Sequence, residues 1–534
     1  MKRITRRQFI QGAALAGTAL YVSPLVSVVR AGPGNGMGGG GMGPGGGGGG
    51  GGGMGGGGVA VIDPPVGAAL RLPTLATNMS IDPAVVEVEI EARQALVDVN
   101  GTVANLVTYN GQFPGPMIRV RRDQLLKLHF RNALPNDGQT NFLGHSTRMT
   151  NIHTHGLHVT PDANANGTFG DCMLAMADPG DSLEYEYDLS NHPAGNLNFY
   201  HPHIHGSVTD QMWGGMSAPL VVEDGVDALK PFAEKVLVLK DITLAGSVPA
   251  PHDSQMDYMH GVEGNTVMVN GQVNPRLAIA PGQVQRWRVV NACTARFFRL
   301  SLQNHTMYLV GTDGGLLDKP YPIGEILLSP GERIDVLVRA TLKSGSYKWL
   351  SLPYGRGGMS AQQQITLMTL TYGGAKQNQA IPSAVDPSAV RVTDLSMVAQ
   401  RKRMTLTMGM GAVGIDGRTY LSHEDCYMTM SDVGTWEIWE IVNSSGMDHP
   451  FHHHTNSAQV LSITGGDAGY ASLYTTIPAW KDVTIVPRMG KIELLMPVMD
   501  YAGMAMIHCH IIEHEDIGMM GVWHIMGDGG MGEM

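Results

Sequence analysis

Of the 21 histidines in this chain, twelve fall in four short clusters. They read His153-Thr-His155, His201-Pro-His203-Ile-His205, His449-Pro-Phe-His452-His453-His454, and His508-Cys509-His510 followed by His514. One His-X-His is common on a strand and says little; four, one enclosing a cysteine, imply a shared purpose. Imidazole and thiolate are metal ligands. On a strand, alternate side chains point the same way, so residues i and i+2 reach one site and residue i+1 another. His508 and His510 therefore face one side and Cys509 the other. A metal held by the sulfur stands back to back with metals held by the two rings. Adjacent Cα atoms are about 3.8 Å apart, so an electron leaving the sulfur reaches an imidazole through one residue of backbone on either side.

Ligand chemistry narrows the metal. One thiolate, two imidazoles and a thioether are the set of a blue-copper electron-transfer site. Cys509, His514 and Met519 supply three of these from one short loop, and His449 is the candidate for the fourth. Zinc competes for any Cys/His cluster, but a structural zinc site needs only four ligands and leaves the other histidines without a role.

The elements that must position these groups read as strands. From about Val66 onward, short runs rich in Val, Ile, Leu, Thr and Tyr are cut by Gly, Pro, Asn and Asp, as in Val85–Ile90, Leu125–Phe130, Leu183–Tyr187, Gln285–Val290, Arg333–Val338 and Val483–Val486. Long 3.6-residue periodicity is scarce, which predicts all-β sandwiches. Three strands end alike, at Phe130-Arg131-Asn132, Val289-Val290-Asn291 and Ile441-Val442-Asn443, as the same strand in three related domains does. The expected domains are 66–225, 226–375 and 376–534, each of normal size for a sandwich. The first two histidine clusters lie in the first domain and the last two in the third.

Ahead of them, residues 1–31 read as an export signal: a basic start from Lys2 to Arg7, an apolar stretch from Phe9 to about Val29, and Val29-Arg30-Ala31 as a cleavage site. Thr5-Arg6-Arg7-Gln8-Phe9-Ile10 resembles the twin-arginine motif, which implies a periplasmic or otherwise exported protein. A membrane anchor is the competing reading, though the stretch is interrupted by Gly12, Gly17 and Ser23. Residues 32–58 hold 21 glycines, too many to build a core, so 32–65 is expected to be a disordered Gly/Met-rich linker, with Met37, Met42 and Met54 as soft donors or incidental residues.

His-Thr-His-Gly, His-Pro-His, His-Pro-Phe-His-His-His and His-Cys-His-Ile-Ile-Glu-His-Glu-Asp-Ile-Gly-Met resemble, in order, the four signatures of the multicopper oxidases. The resemblance runs from about residue 80 to 526 and includes Asn110–Pro116 and Gly264–Gly271. It implies three cupredoxin-like Greek-key domains and four copper ions. Type 1 copper would take His449, Cys509, His514 and axial Met519; type 2 copper His153 and His452; the type 3 pair His155, His201, His203, His454, His508 and His510. Glu515 matches an acid that delivers protons to dioxygen, with an exposed partner of a nearby cation as the alternative. Asp162 and Asp171 compete for the acid beside type 2 copper. Thr455 stands where the third signature usually has glycine. His158, His205 and His453 are left as outer-layer or surface groups.

The function so implied is oxidation of four one-electron donors coupled to reduction of dioxygen to water, with Cys509 passing each electron through His508 and His510. A laccase-like enzyme acting on phenols or aromatic amines is the plain expectation, a cuprous or other metal-ion oxidase the second, and a non-catalytic copper-binding protein the third. The partners are dioxygen and a small reducing substrate or Cu(I). A net charge of −11 argues against nucleic acid and anionic membrane surfaces, and no stable membrane insertion is expected after processing. With Cys509 as a ligand, Cys172, Cys293 and Cys426 allow at most one disulfide, and Cys293 reads as a buried free thiol.

Overall fold

The computed structural model describes residues 59–193, 195–223, 225–340, 344–360, 362–409 and 412–527. The segment expected to be an export signal, residues 1–31, and the glycine tract of residues 32–58 lie outside them. Among the described residues no helix is long and apolar enough to cross a membrane.

The chain forms three β-sandwiches. In the first, the sheet of Thr102–Tyr109, Val85–Val99, Leu125–Asn132 and Ser182–Asp188 packs on that of Ile118–Arg121, Ala218–Glu223, Leu197–His201 and His153–His155. Period-two patterning builds the core. Val86, Val88, Ile90 and Ala92 are buried against Leu126, Leu128 and Phe130, and Leu220 and Val222 close it from the second sheet. The second sandwich is built on Ala233–Ile242, Val284–Asn291 and Arg333–Arg339, facing Phe298–Leu302, Ser346–Leu352 and Gln363–Tyr372. In the third, a sheet containing Val398–Gly409, Trp436–Asn443 and Lys491–Pro497 faces one containing His449–His453, Gly503–Cys509 and Met520–Met526.

The three asparagine endings are one structural device used three times. In each sandwich the first long strand pairs parallel with the strand that ends in asparagine, at Ala92–Asn132, Leu239–Asn291 and Leu406–Asn443. Each buried amide then donates to two carbonyls: Asn132 to Arg148 and Ala177, Asn291 to Arg296 and Leu328, Asn443 to Met447 and Val486. Each side-chain oxygen takes the N–H two residues on, from Leu134, Cys293 and Ser445. A buried amide with its donors and acceptor satisfied fixes the loop that follows, and in the third sandwich that loop leads to His449.

Two expectations need correction. The linker does not run to residue 65: Ala60–Ile62 is a strand pairing parallel with Gln363–Ile365, because Val59–Ile62 is an apolar run and not glycine. Nor do residues 66–76 all belong with the first sandwich. Gly67 and Leu70 donate to Asn274 and Arg276, binding this stretch along the second. The disulfide allowed by count does not form: all four cysteines are free and buried. Cys172 and Cys293 sit in different cores and Cys426 in a small satellite cluster.

Candidate metal centre

The Cys509 sulfur lies 3.5 Å from His449 Nδ1 and 3.6 Å from His514 Nδ1, and those two nitrogens are 3.2 Å apart. A point equidistant from all three lies about 2 Å from each, the length of a metal–ligand bond. The ring orientations are fixed from behind. His449 Nε2–H donates to Ser445 Oγ (2.7 Å) and His514 Nε2–H to the Met259 carbonyl (3.3 Å), leaving both Nδ1 lone pairs directed at the sulfur. All three side chains are fully buried. Burial, with Arg356 nearby, pushes His449 down to about 3, so its ring is neutral at ordinary pH. Burial also holds the Cys509 thiol up against the N–H of Ile511, which donates to the sulfur at 3.4 Å. A bound cation is what would make the thiolate here. Met519 is tied to both partners by backbone, its N–H donating to the His514 carbonyl (2.8 Å) and its carbonyl accepting from Cys509 N–H (3.0 Å).

On the other face of the Cys509 strand eight histidine rings meet. Cross-strand pairing sets His153 opposite His201 and His452 opposite His508, so the first and third sandwiches each present a histidine ladder. His508 Nε2 lies 3.2 Å from His203 Nε2 and 3.3 Å from His454 Nε2. His153, His155 and His201 converge similarly, as do His153, His452 and His454; His510 joins with its ring 4.9 Å from that of His155. His153 Nε2, His155 Nδ1, His201 Nε2, His452 Nε2 and both nitrogens of His510 are buried without a hydrogen-bond partner. Each such orphan costs about 1–3 kcal/mol. So many converging in one place are a site built for cations that accept lone pairs, and imidazole suits copper. Burial lowers His201 and His508 to about 3, so protons do not compete.

Two carboxylates border this cluster. Asp171 accepts from His153 Nδ1 (2.8 Å) and Thr154 N–H (2.9 Å) and lies 3.4 Å from His454 Nδ1, whereas Asp162 is exposed. Glu515 is fully buried, 3.1 Å from His508 Nδ1 and 3.6 Å from His203 Nδ1; it is not an exposed ion-pair partner. Burial raises its pKa against the opposing pull of His203 and His454, which suits a group that holds a proton. His158 and His453 are buried outer groups, donating to the carbonyls of Thr455 and Asn456. His205 is half-buried beside Tyr420. Thr455 itself sits at φ 69°, the left-handed region that glycine occupies without strain.

Sequence reasoning missed three groups that touch these histidines, Ser445, Met259 and Asp482, and a fourth, Arg333, that stands behind Asp482. A hydroxyl or a carbonyl behind a ring has no spacing signature. Asp482 and Arg333 are far from any histidine in sequence.

Three sandwiches, a Cys/His triad and a histidine cluster on opposite faces of one strand define a metal-dependent redox protein of cupredoxin-like architecture. Residues 91–227, 235–375 and 389–528 each match the multicopper oxidase family. Laccase of Bacillus subtilis (strain 168) is 27% identical over 466 residues, covering 77% of this chain and 88% of that protein. A multicopper oxidase of Campylobacter jejuni, described as a metallo-oxidase, shares the fold with a TM-score of 0.74 at 27% identity, over 88% of this chain and 98% of its own. A laccase-like multi-copper oxidase of the lignin-degrading Ochrobactrum sp. does so at 0.71 and 26%, over 86% and 100%. The chain belongs to the multicopper oxidase family: it is a copper oxidoreductase that uses dioxygen as acceptor.

Proposed function

We propose that this enzyme is laccase-like, oxidising phenols or aromatic amines in one-electron steps and reducing dioxygen to two waters for every four donor equivalents. His449, Cys509, His514 and Met519 would hold type 1 copper. His153 and His452 would hold type 2 copper, and His155, His201, His203, His454, His508 and His510 the type 3 pair. When bound, copper supplies one-electron redox chemistry at the first site and a four-electron exchange with dioxygen at the second. The observation that carries the coupling of donor oxidation to dioxygen reduction is the back-to-back placement of the two side-chain sets on the Gly503–Cys509 strand and the residue after it; phenols or aromatic amines as donors rest on the likeness to laccases.

The chain's own residues make this work. Cys509 is joined to His508 and His510 by one peptide each, which gives a covalent path between the two sites. Glu515, buried against His508 and His203, would hold a proton at the edge of the histidine cluster, where dioxygen reduction consumes protons. Asp171 fixes the His153 ring through Nδ1. Burial of the eight rings keeps bulk water away from the cluster. We place the mature enzyme outside the cytoplasm, on the twin-arginine-like start of the sequence.

Oxygen uptake by copper-loaded protein, with a phenol, Cu(I) and Mn(II) compared as donors, tests the reading. Phenol-driven uptake without released peroxide, absent in Cys509→Ser, is expected. No uptake with any donor would establish the non-catalytic alternative.

A further inference from the structure

His155 differs from the rings around it. His153, His201, His452 and His508 each anchor Nδ1 on an oxygen and turn Nε2 to the cluster. His155 does the reverse: Nε2 faces Asp482 Oδ1 at 3.3 Å, and Nδ1 is the bare nitrogen. The same Asp482 also serves His452, whose Nδ1–H donates to the Asp482 carbonyl at 2.9 Å. One residue therefore orients two rings of the cluster, one through its side chain and one through its backbone.

Asp482 is itself gripped. Arg333 Nη1 and Nη2 donate to its two carboxylate oxygens at 2.5 and 2.6 Å, a bidentate pair with both partners buried. The guanidinium is fixed in turn: Nε donates to the Leu197 carbonyl (2.9 Å) and Nη1 also to the Gly331 carbonyl (3.0 Å). Arg333 begins a strand of the second sandwich, which contributes no histidine to either ligand set. It thus joins that sandwich to Leu197 of the first and Asp482 of the third.

A separate observation points the same way. Gly156 follows His155 at φ 92°, and a Cβ there would lie 2.2 Å from Arg333 Nη2 and 3.0 Å from Asp482 Oδ2. The glycine that closes His-Thr-His-Gly is the space into which this ion pair fits.

We infer that Arg333 is a positioning residue for the histidine cluster. By clamping Asp482 it fixes His155 to bind metal through Nδ1, so the sandwich that holds no metal sets ligand geometry for the two that do. The inference rests on the copper assignment above. Partners behind a metal-bound histidine typically change metal affinity by about 10–100-fold.

The test uses full-length, copper-loaded protein with Arg333→Met, Arg333→Lys and Asp482→Asn. Copper per chain is measured after dialysis against graded chelator, along with the electron paramagnetic resonance of type 2 copper; the blue band serves as internal control. Arg333→Met should lose cluster copper at about 10–100-fold lower chelator strength with altered type 2 hyperfine splitting, while the blue band and its anaerobic bleaching by a phenol stay unchanged. Arg333→Lys, which keeps the charge but not the fork, should fall between. If Arg333→Met does not fold, Arg333→Lys and Asp482→Asn decide by the same measurements. Unchanged chelator resistance and resonance in the variants would overturn the inference. So would loss of the blue band in step with cluster copper, since that is general damage to the fold. Wild-type protein that retains no copper would sink the copper assignment itself, and this inference with it.

Discussion

Ser445→Ala tests how the Cys509 site is held. The Ser445 hydroxyl accepts from His449 Nε2–H at 2.7 Å and donates to the Met447 carbonyl at 3.1 Å. His449 is fully buried and Ser445 4% exposed, so water does not replace the lost acceptor. An orphaned buried donor costs about 1–3 kcal/mol. At about 1.4 kcal/mol per tenfold, type 1 copper should bind about 5–150-fold more weakly, and the ring should lose the restraint that aims Nδ1 at the sulfur. Dialysis of the loaded enzyme against graded chelator, with the blue band followed per mole of protein, reads this directly. Cluster copper, counted by metal analysis, should not move. Ser445→Thr, which keeps the hydroxyl, should retain most of the affinity. A Ser445→Ala enzyme that bleaches at the wild-type chelator concentration would refute the claim that this hydrogen bond orients the ligand.

Cys509→Ser should abolish the blue band, because a hydroxyl is a hard and weak ligand here; a blue variant removes the sulfur from the site. His155→Ala should keep the blue band and its reduction by donor yet stop oxygen uptake; if uptake survives, the first-sandwich cluster is not where dioxygen reacts. Glu515→Gln preserves shape but cannot release a proton, so reoxidation of the fully reduced enzyme by dioxygen, followed by stopped flow, should slow by about 10²–10⁴-fold with anaerobic reduction unaffected; equal reoxidation rates would exclude Glu515 from proton delivery. Thr455→Gly should stabilise the protein by about 1 kcal/mol, since φ is 69° and the hydroxyl is buried without a partner; a lower melting midpoint by calorimetry would show that the threonine is not strained.

What the sequence disclosed was what spacing can encode. Each i, i+2 histidine pair starts on a strand, although only His153 and His155 lie wholly on one and His203, His454 and His510 fall just past a strand end, so their sharing of a face was legible, as was the back-to-back relation of Cys509 to its neighbours. The asparagine endings disclosed the threefold repeat because each asparagine does the same work, bonding one carbonyl in the loop that follows it and one on a segment farther along the chain. Asp171 could not be separated from Asp162 in the sequence, because the loop between them folds by local turns: Gly170 N–H returns to the Asp162 carbonyl and Asp171 N–H to that of Thr160. The strand Ala60–Ile62 was hidden by the glycine before it, and its partner is some three hundred residues away. Arg333 and Asp482 were hidden more deeply, since a buried ion pair between domains leaves no pattern in either segment.

One short segment shows why both sites depend on a turn of helix at that point in the chain. After His510 the strand must stop. A chain that continued extended would carry residue 514 about 16 Å from Cys509, whereas His514 Nδ1 is 3.6 Å from the sulfur. The helix Ile512–Asp516 makes that return, and it does a second thing a strand cannot. A strand has two faces, but about 3.6 residues per turn send four successive side chains in four directions. Glu513 goes to the second sandwich, bonding His252, the Val262 N–H and Thr294. His514 goes to the sulfur site. Glu515 goes to the histidine cluster. Asp516 goes to the first sandwich, accepting the N–H groups of Gly206, Val208 and Thr209 at the start of the helix Val208–Trp213. The two outer acids, both buried, hold the segment to both neighbouring sandwiches through these hydrogen bonds. The two inner residues, His514 beside the sulfur and Glu515 beside the histidine cluster, are thereby held on both sides by their neighbours' contacts as well as by their own. On the proposed copper assignment, electron entry and proton supply would therefore both be placed by this single turn of helix.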